Sequence, residues 1–276
     1  MNRDSNTYTF IFAAVMVFVV ASSLAFTATS LKAKQNENVR KEKMQNILST
    51  IGIETDRDQA ETLYNQYITQ TLALVSDGSN DADANAFGIQ MATETKKPVD
   101  QQRFPLYIAQ VDAAKYYIVP LRGAGLWDAI WGYMALEEDM NTIKGVVFDH
   151  KGETAGLGAE ITQGWFQDRF VGEKVYSTDG ALAGINVSKT NNDPNGNDKE
   201  DHEVDAISGA TITGDGVTDM ISERLKHYTP FFKIQMAENA TAVPAVEPIE
   251  VEEIPNDANP APGNDTADSV TIAYQN

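Results

Sequence analysis

An uninterrupted apolar run near the N-terminus constrains this chain more than any other feature of its sequence. No charged residue lies between Asp4 and Lys32, and the densest part, Tyr8–Phe26, reads YTFIFAAVMVFVVASSLAF. At ~1.5 Å rise per residue this part spans ~28 Å, which is close to the ~30 Å hydrocarbon core of a bilayer. It has no polar stripe of the kind that a surface helix of a soluble domain shows. The run therefore predicts a retained transmembrane anchor.

A cleaved signal peptide is the alternative interpretation, since Ser23-Leu24-Ala25 loosely resembles a small-x-small cleavage site. Against it, the basic charge before the run is only Arg3, which Asp4 offsets. Basic residues follow the run at Lys32, Lys34, Arg40, Lys41 and Lys43. The positive-inside rule would place the following domain in the cytoplasm, although long domains can translocate regardless of flanking charge. The charges alone leave the orientation open.

The composition excludes several classes of function. The chain has 276 residues, a formal net charge of −19 and no cysteine. The electric field of a chain with this negative charge repels polyanions, which excludes nucleic acid as the main partner. Without cysteine there is no disulfide, thiolate nucleophile, Cys-ligated zinc or iron–sulfur cluster. Residues 237–276 hold eight Asp and Glu, no Lys or Arg and five of the ten prolines, which predicts a disordered acidic tail or, alternatively, a docking peptide.

The sequence is divided into four segments: an N-terminal segment and anchor (1–31), a stalk (32–55), a folded domain (56–236) and the tail (237–276). The folded domain mixes strands and helices without a βαβ rhythm, which favours the α+β class. Helices are predicted from Asp56 to about Val75, from Leu126 to Met134 and over Val217–Tyr228. Strands are predicted over Leu106–Val111, Lys115–Val119 and Thr142–His150, and more weakly over Phe170–Tyr176 and Ala181–Val187.

The run DAISGAT, from Asp205 to Thr211, is the first motif that could carry chemistry. Its small residues allow close approach of a ligand to the backbone. We expect the next helix to begin near Thr213–Gly216, so a phosphate held at Thr211 would face free N–H groups and the positive end of the helix dipole. Alternatively, the run is a plain helix entry in which Ser208 or Thr213 caps the helix.

Two glycine-containing turns are further candidates. The loop HKGETAGLG, His150–Gly158, follows a predicted strand and could pass close to a flat ring, although it could equally be an ordinary turn. It lacks the third glycine and the surroundings of a dinucleotide fingerprint. The run GAGLW, Gly123–Trp127, could stack a ring, or its Trp could belong to the core. The stretch beginning at Asp193 lacks the glycine and the final glutamate of a calcium loop, so no metal site is predicted.

Together these motifs resemble the C subunit of the bacterial sodium-translocating NADH:quinone oxidoreductase. The matching stretch, Gly123 to Ile161, reads GAGLWDAIWGYMALEEDMNTIKGVVFDHKGETAGLGAEI, and DAISGAT and its helix follow. The resemblance covers about residues 1–235. The G subunit of the ion-translocating ferredoxin:NAD oxidoreductase is the nearest rival, and a non-redox, membrane-anchored assembly module is a further alternative. The stretch LWDAIWGYMALEEDMNTIKG looks more like the quinone-reductase component.

The resemblance implies that FMN is esterified through its phosphate to the hydroxyl of Thr211. A flavin transferase makes this bond in the family, and Asp205 is thought to assist its metal-dependent chemistry. Two positions depart from the family pattern, Ala206 for a frequent Gly and Ala155 for a Pro, and neither removes the acceptor hydroxyl. The predicted flavin-binding residues besides Thr211 are Ser208, Gly209, Ala210, Leu126, Trp127, Glu153, Thr154 and Leu157.

The resemblance also implies the cellular role. The chain would be a single-pass protein of the bacterial inner membrane, with its large domain in the periplasm. There it would pass electrons between redox centres of partner subunits on the way to quinone, coupled to Na+ export. NADH would be oxidised by another subunit, since no nicotinamide-binding motif is visible in the sequence. No residue is predicted to perform acid–base catalysis, which suits an electron carrier.

Overall fold

The computed structural model describes residues 5–193 and 196–242. Its centre is a five-stranded antiparallel sheet in the order β1-β2-β3-β4-β5. These strands are Ile68–Leu74, Phe104–Val111, Ala114–Ala124, Ala129–Leu136 and Ile143–His150. The helices are α1 (Asn6–Ser49), α2 (Ala60–Tyr67), α3 (Met91–Glu94), α4 (Gly164–Gln167) and α5 (Thr211–Ala242). A parallel pair, β6 (Asn186–Val187) and β7 (Glu203–Val204), leads into α5. The α+β prediction is confirmed.

Both faces of the sheet are covered, so the domain has three layers. Side chains alternate across a strand, and on β3 Tyr117 and Val119 face one core while Ile118 faces the other. The larger core is closed by α5, which contributes Val217, Met220, Ile221, Leu225, Tyr228, Phe231 and Phe232 to it. The smaller core is closed by α2 and the end of α1. This arrangement fixes α5 against the sheet, with Gly216 close to the backbone of Ala124 at the end of β3.

Helix α1, of 44 residues, contains most of the predicted anchor and the predicted stalk as far as Ser49. In the described part of the chain it is the one helix long and apolar enough to cross a membrane, and the apolar part of it is not buried by the domain. Its last turns carry Met44, Ile47 and Leu48 into the smaller core. The helix is therefore compatible with a membrane anchor that is packed directly onto the folded domain.

One predicted helix is wrong, and a second is confirmed over only part of its predicted length. The stretch from Leu126 to Met134 is a turn followed by β4, in which Ile130, Gly132 and Met134 are buried at period two. Pairing with β3 and β5 on both sides outweighs the helical spacing of its large apolar residues. The helix predicted from Asp56 to about Val75 is confined to α2, because the stretch that follows, Ile68–Leu74, pairs with β2 as β1.

The remaining elements differ mostly at their ends. The three strands over Leu106–Val111, Lys115–Val119 and Thr142–His150 are confirmed in position. Phe170–Tyr176 forms no continuous strand, and only the last two residues of Ala181–Val187 do. Helix α5 begins at Thr211 rather than near Thr213–Gly216, and it extends to Ala242, past the predicted boundary at residue 236. The rest of the predicted tail, residues 243–276, lies outside the described residues.

Candidate functional site

Three segments meet in a cleft of about 230 Å³ at one end of the sheet. They are the turn between β3 and β4, the loop after β5 and the first turn of α5. The hydrogen bond from Gly125 N to Asp128 O (2.8 Å) closes the turn. The cleft is lined by Leu126, Glu153, Thr154, Leu157, Gly158, Gly209, Ala210, Thr211, Ile212 and Thr213. The fold thus brings together parts of all three predicted motifs.

The buried carboxylate of Glu153 ties these three segments to one another. Its Oε1 accepts a hydrogen bond from the backbone N–H of Trp127 (2.9 Å), in the β3–β4 turn. Its Oε2 accepts from the hydroxyl of Thr213 (2.7 Å), in the first turn of α5. The backbone N–H of Glu153 donates to His150 Nδ1 (3.1 Å), which holds the loop against the end of β5. The two carboxylate oxygens therefore hold the β3–β4 turn and the first turn of α5 together at the cleft.

Glycines allow this close approach. A Cβ on Gly158 would meet both Glu153 and the Thr213 hydroxyl, and a Cβ on Gly125 would lie 2.5 Å from Glu153 Oε1. Gly209 has φ +74°, a left-handed conformation that side chains rarely adopt, and a Cβ there would lie 2.8 Å from Leu157. Each of the three motifs thus contains one glycine, Gly125, Gly158 or Gly209, that the packing around the cleft requires.

Thr211 is the first residue of α5, and its side chain is exposed at the cleft. Gly214 N donates to Ala210 O (2.9 Å) in the first turn, so the N–H groups of Thr211, Ile212 and Thr213 precede the first intrahelical bond. Such N–H groups and the helix dipole favour an anion. The hydroxyl of Thr213 is used by Glu153, which argues against Thr213 as the helix cap. A phosphate on Thr211 would therefore lie at a helix N-terminus.

Large apolar side chains stand exposed around the cleft. Leu126, Leu157 and Ile212 are 48%, 40% and 58% exposed and line it. Trp127 is 68% exposed in the β3–β4 turn, so it does not belong to the core, but it is outside the cleft lining. Ser208 is also exposed and outside the lining. The cleft is therefore apolar at its rim and polar at the start of α5.

Asp205 lies apart from the cleft, in a second and smaller cavity. It is buried, and its Oδ1 accepts from the backbone N–H groups of Asn192 (3.0 Å) and Asp193 (3.2 Å). Its Oδ2 has no hydrogen-bond partner among the described residues. Glu173 lines the same cavity, and burial raises the pKa of its carboxyl to about 7 despite its ion pair with Lys199. Asp205 therefore does not contact the cleft directly.

These features fit a flavin phosphate and ring. The exposed hydroxyl and free N–H groups suit a phosphate, the apolar rim suits a flat ring, and the glycines bring backbone close to both. Sequence reasoning missed Ile212 as a lining residue and Thr213 as the partner of Glu153. The signal available in the sequence was the position of these residues at a helix start. Successive residues of an α-helix are turned by about 100°, so Thr211 and Thr213 face nearly opposite sides of the helix.

The fold, the cleft and the family model that matches this region together identify an FMN-binding domain. The family model described as "FMN-binding domain" matches residues 125–226, which include the cleft-lining residues.

Curated relatives extend over most of the chain. The C subunit of the Na(+)-translocating NADH-quinone reductase of Pseudomonas aeruginosa is 29% identical over 240 residues, covering 80% of this chain and 91% of the relative. The corresponding subunit of Neisseria meningitidis serogroup A is 31% identical over 233 residues, covering 78% and 88%. The crystal structure of the same subunit from Parabacteroides distasonis matches with a TM-score of 0.66 and 35% identity over 73% of this chain and 96% of that chain. This chain belongs to the family of C subunits of the Na(+)-translocating NADH-quinone reductase.

Proposed function

We propose that this chain is the FMN-carrying electron-transfer subunit of a membrane-bound, sodium-translocating NADH:quinone reductase. The observation that carries the proposal is the exposed hydroxyl of Thr211, which starts α5 at the cleft of an FMN-binding domain. Bound FMN supplies the electron transfer, while the protein positions the flavin and sets its surroundings. None of the relatives described above belongs to a ferredoxin:NAD oxidoreductase, so no observation favours the ferredoxin-linked complex.

We further propose that the flavin is attached covalently to Thr211. The phosphate of free FMN is not activated, so the donor must be a flavin phosphoanhydride such as FAD. In this step Thr211 Oγ1 forms a phosphoester bond with the flavin phosphate, the anhydride bond breaks and AMP leaves. The hydroxyl proton passes to the FMN transferase or to water. The free N–H groups of the first turn of α5 then hold the phosphate.

The attachment is tested by mass. The full chain is co-expressed with its FMN transferase, denatured in acid and analysed as the intact protein. We expect a mass increase equal to one FMN less one water, because a phosphoester survives denaturation whereas a noncovalent flavin does not. A chain that has bound flavin before denaturation but no added mass would contradict covalent attachment. A chain that binds no flavin at all would contradict the proposed function.

We also propose that the anchor is retained in the inner membrane and that the domain lies in the periplasm, where it contacts partner subunits of the complex. The support is α1, which is compatible with a single span. The flanking charges favour the opposite orientation, but a large domain can translocate regardless of them. A covalent tether would prevent loss of the flavin outside the cytoplasm.

The orientation can be tested with single cysteines, because the chain has none of its own. Lys96→Cys is placed on the exposed surface of the domain and Asn2→Cys before the span. In spheroplasts we expect an impermeant maleimide to label Lys96→Cys at once and Asn2→Cys only after permeabilisation. The reverse pattern would place the domain in the cytoplasm. Loss of the N-terminal peptide from the mature protein would show a cleaved signal instead.

A further inference from the structure

Arg169 holds the segment that leads to Thr211. It lies in the 3-10 helix Asp168–Phe170, far from the motif in sequence. Its Nη1 donates to the backbone carbonyls of Asp205 (2.7 Å) and Ala206 (3.2 Å). We propose that Arg169 is a positioning residue for flavin attachment, which orients the motif so that the Thr211 hydroxyl is presented to the flavin donor. This inference rests on the proposed function.

The motif needs such a support because it has little regular structure of its own. Strand β7 ends at Val204 and α5 begins at Thr211, so the six residues between them belong to neither element. Within them, Ala210 N donates to Ile207 O (3.0 Å), and Ser208 and Gly209 are exposed. The carbonyl groups at the upstream end are held by Arg169. The segment is therefore fixed at one end by α5. At the other end its backbone is held by this guanidinium, while the Asp205 side chain is held separately by the N–H groups of Asn192 and Asp193.

Arg169 is itself held in place. Its guanidinium carbon lies 4.9 Å from the centre of the Trp165 ring, a cation–π arrangement. Its own carbonyl accepts a hydrogen bond from Lys199 Nζ (2.9 Å), and that lysine also pairs with the buried Glu173 (3.1 Å). A side chain that is fixed before the reaction loses little entropy when it orients another group. This arrangement suits a positioning role better than a long, free side chain would.

The effect on the reaction follows from geometry. Formation of the phosphoester requires the Thr211 oxygen to approach the phosphorus from a defined direction, and small misplacements of a reacting atom reduce rates strongly. A guanidinium-to-carbonyl hydrogen bond is charge-assisted, so its loss frees the backbone carbonyls of Asp205 and Ala206 and loosens the motif between the Asp205 side chain and α5. Because Arg169 does not line the cleft, its removal should slow attachment without removing any contact to the flavin.

The experiment measures attachment rates with the purified full chain in detergent, FMN transferase and FAD, followed by intact mass after acid quenching. The chain concentration is varied so that kcat and KM are obtained separately. We expect Arg169→Gln to lower kcat about tenfold or more, with KM changed less than about twofold. Arg169→Lys can still donate to both carbonyls and should recover kcat to within about threefold of the wild type. Arg57→Gln, an exposed arginine before α2, is the matched control and should behave as the wild type.

Three results would overturn the inference. One is a wild-type kcat for Arg169→Gln, and another is a rise in KM alone, which would indicate a docking contact. The third is an Arg169→Lys variant as slow as Arg169→Gln. If a thermal melt shows that Arg169→Gln does not fold, the Trp165→Leu variant, which removes the cation–π contact to Arg169, is measured instead. An unchanged kcat for Trp165→Leu would also overturn the inference. Absence of FMN from the wild type would instead overturn the proposed function, and this inference with it.

Discussion

Thr211→Val is expected to carry no flavin mass after acid denaturation, whereas the wild type carries one FMN. The substitution replaces the acceptor hydroxyl by a methyl group of similar shape, so no phosphoester can form. Thr211 is exposed and α5 is held by its buried face further along, so the fold should be unaffected. Intact mass and the visible flavin spectrum are the measurements. We expect the loss to be complete, because the chemistry requires an oxygen at this position.

Two variants serve as controls for that result. Thr211→Ser keeps a hydroxyl in the same place and should still accept FMN. Thr93→Val changes another exposed threonine in a helix, α3, and should carry the wild-type amount of flavin. A full FMN mass on Thr211→Val would show that another hydroxyl, such as that of Ser208, is the acceptor. The structure would then have to present Ser208 rather than Thr211 to the phosphate.

Glu153→Ala is expected to lower the free energy of unfolding by about 3 kcal/mol and to weaken flavin attachment. Glu153 is buried, and its carboxylate accepts from Trp127 N (2.9 Å) and Thr213 Oγ1 (2.7 Å). Alanine would leave two donors and a cavity at the place where three segments meet. The β3–β4 turn and the start of α5 would then no longer be held together.

Glu153→Gln provides the matched comparison at the same position. Its amide oxygen can still accept from Trp127 N, and its NH2 group can donate to the Thr213 hydroxyl, which can reverse its role. We therefore expect a loss of only about 1 kcal/mol, from the weaker, uncharged hydrogen bonds. Denaturant unfolding of the detergent-solubilised chain measures both variants. Equal stability of the alanine variant and the wild type would show that Glu153 does not brace the cleft.

The motifs are predictable from the sequence because their chemistry is local. The order of GAGLW, HKGETAGLG and DAISGAT indicates the family, and the comparisons confirm that assignment. The three strands predicted over Leu106–Val111, Lys115–Val119 and Thr142–His150 are also placed correctly. By contrast, the spacing of large apolar residues over Leu126–Met134, three and four apart, predicts a helix. This stretch is a strand because it pairs with β3 and β5. A short stretch of sequence does not show which strands will be its neighbours in the sheet.

The sequence by itself determined the apolar span and the acidic, cysteine-free composition, and through its resemblance to the family it indicated the residue with the proposed acceptor hydroxyl. Each of these depends on residue type along a continuous stretch. The tertiary structure alone decided that α5 begins at Thr211, that Glu153 joins Trp127 to Thr213, and that Arg169 supports Asp205 and Ala206. The physical reason is that these hydrogen bonds connect residues 26 to 60 positions apart, where no periodicity or motif spacing specifies the partner.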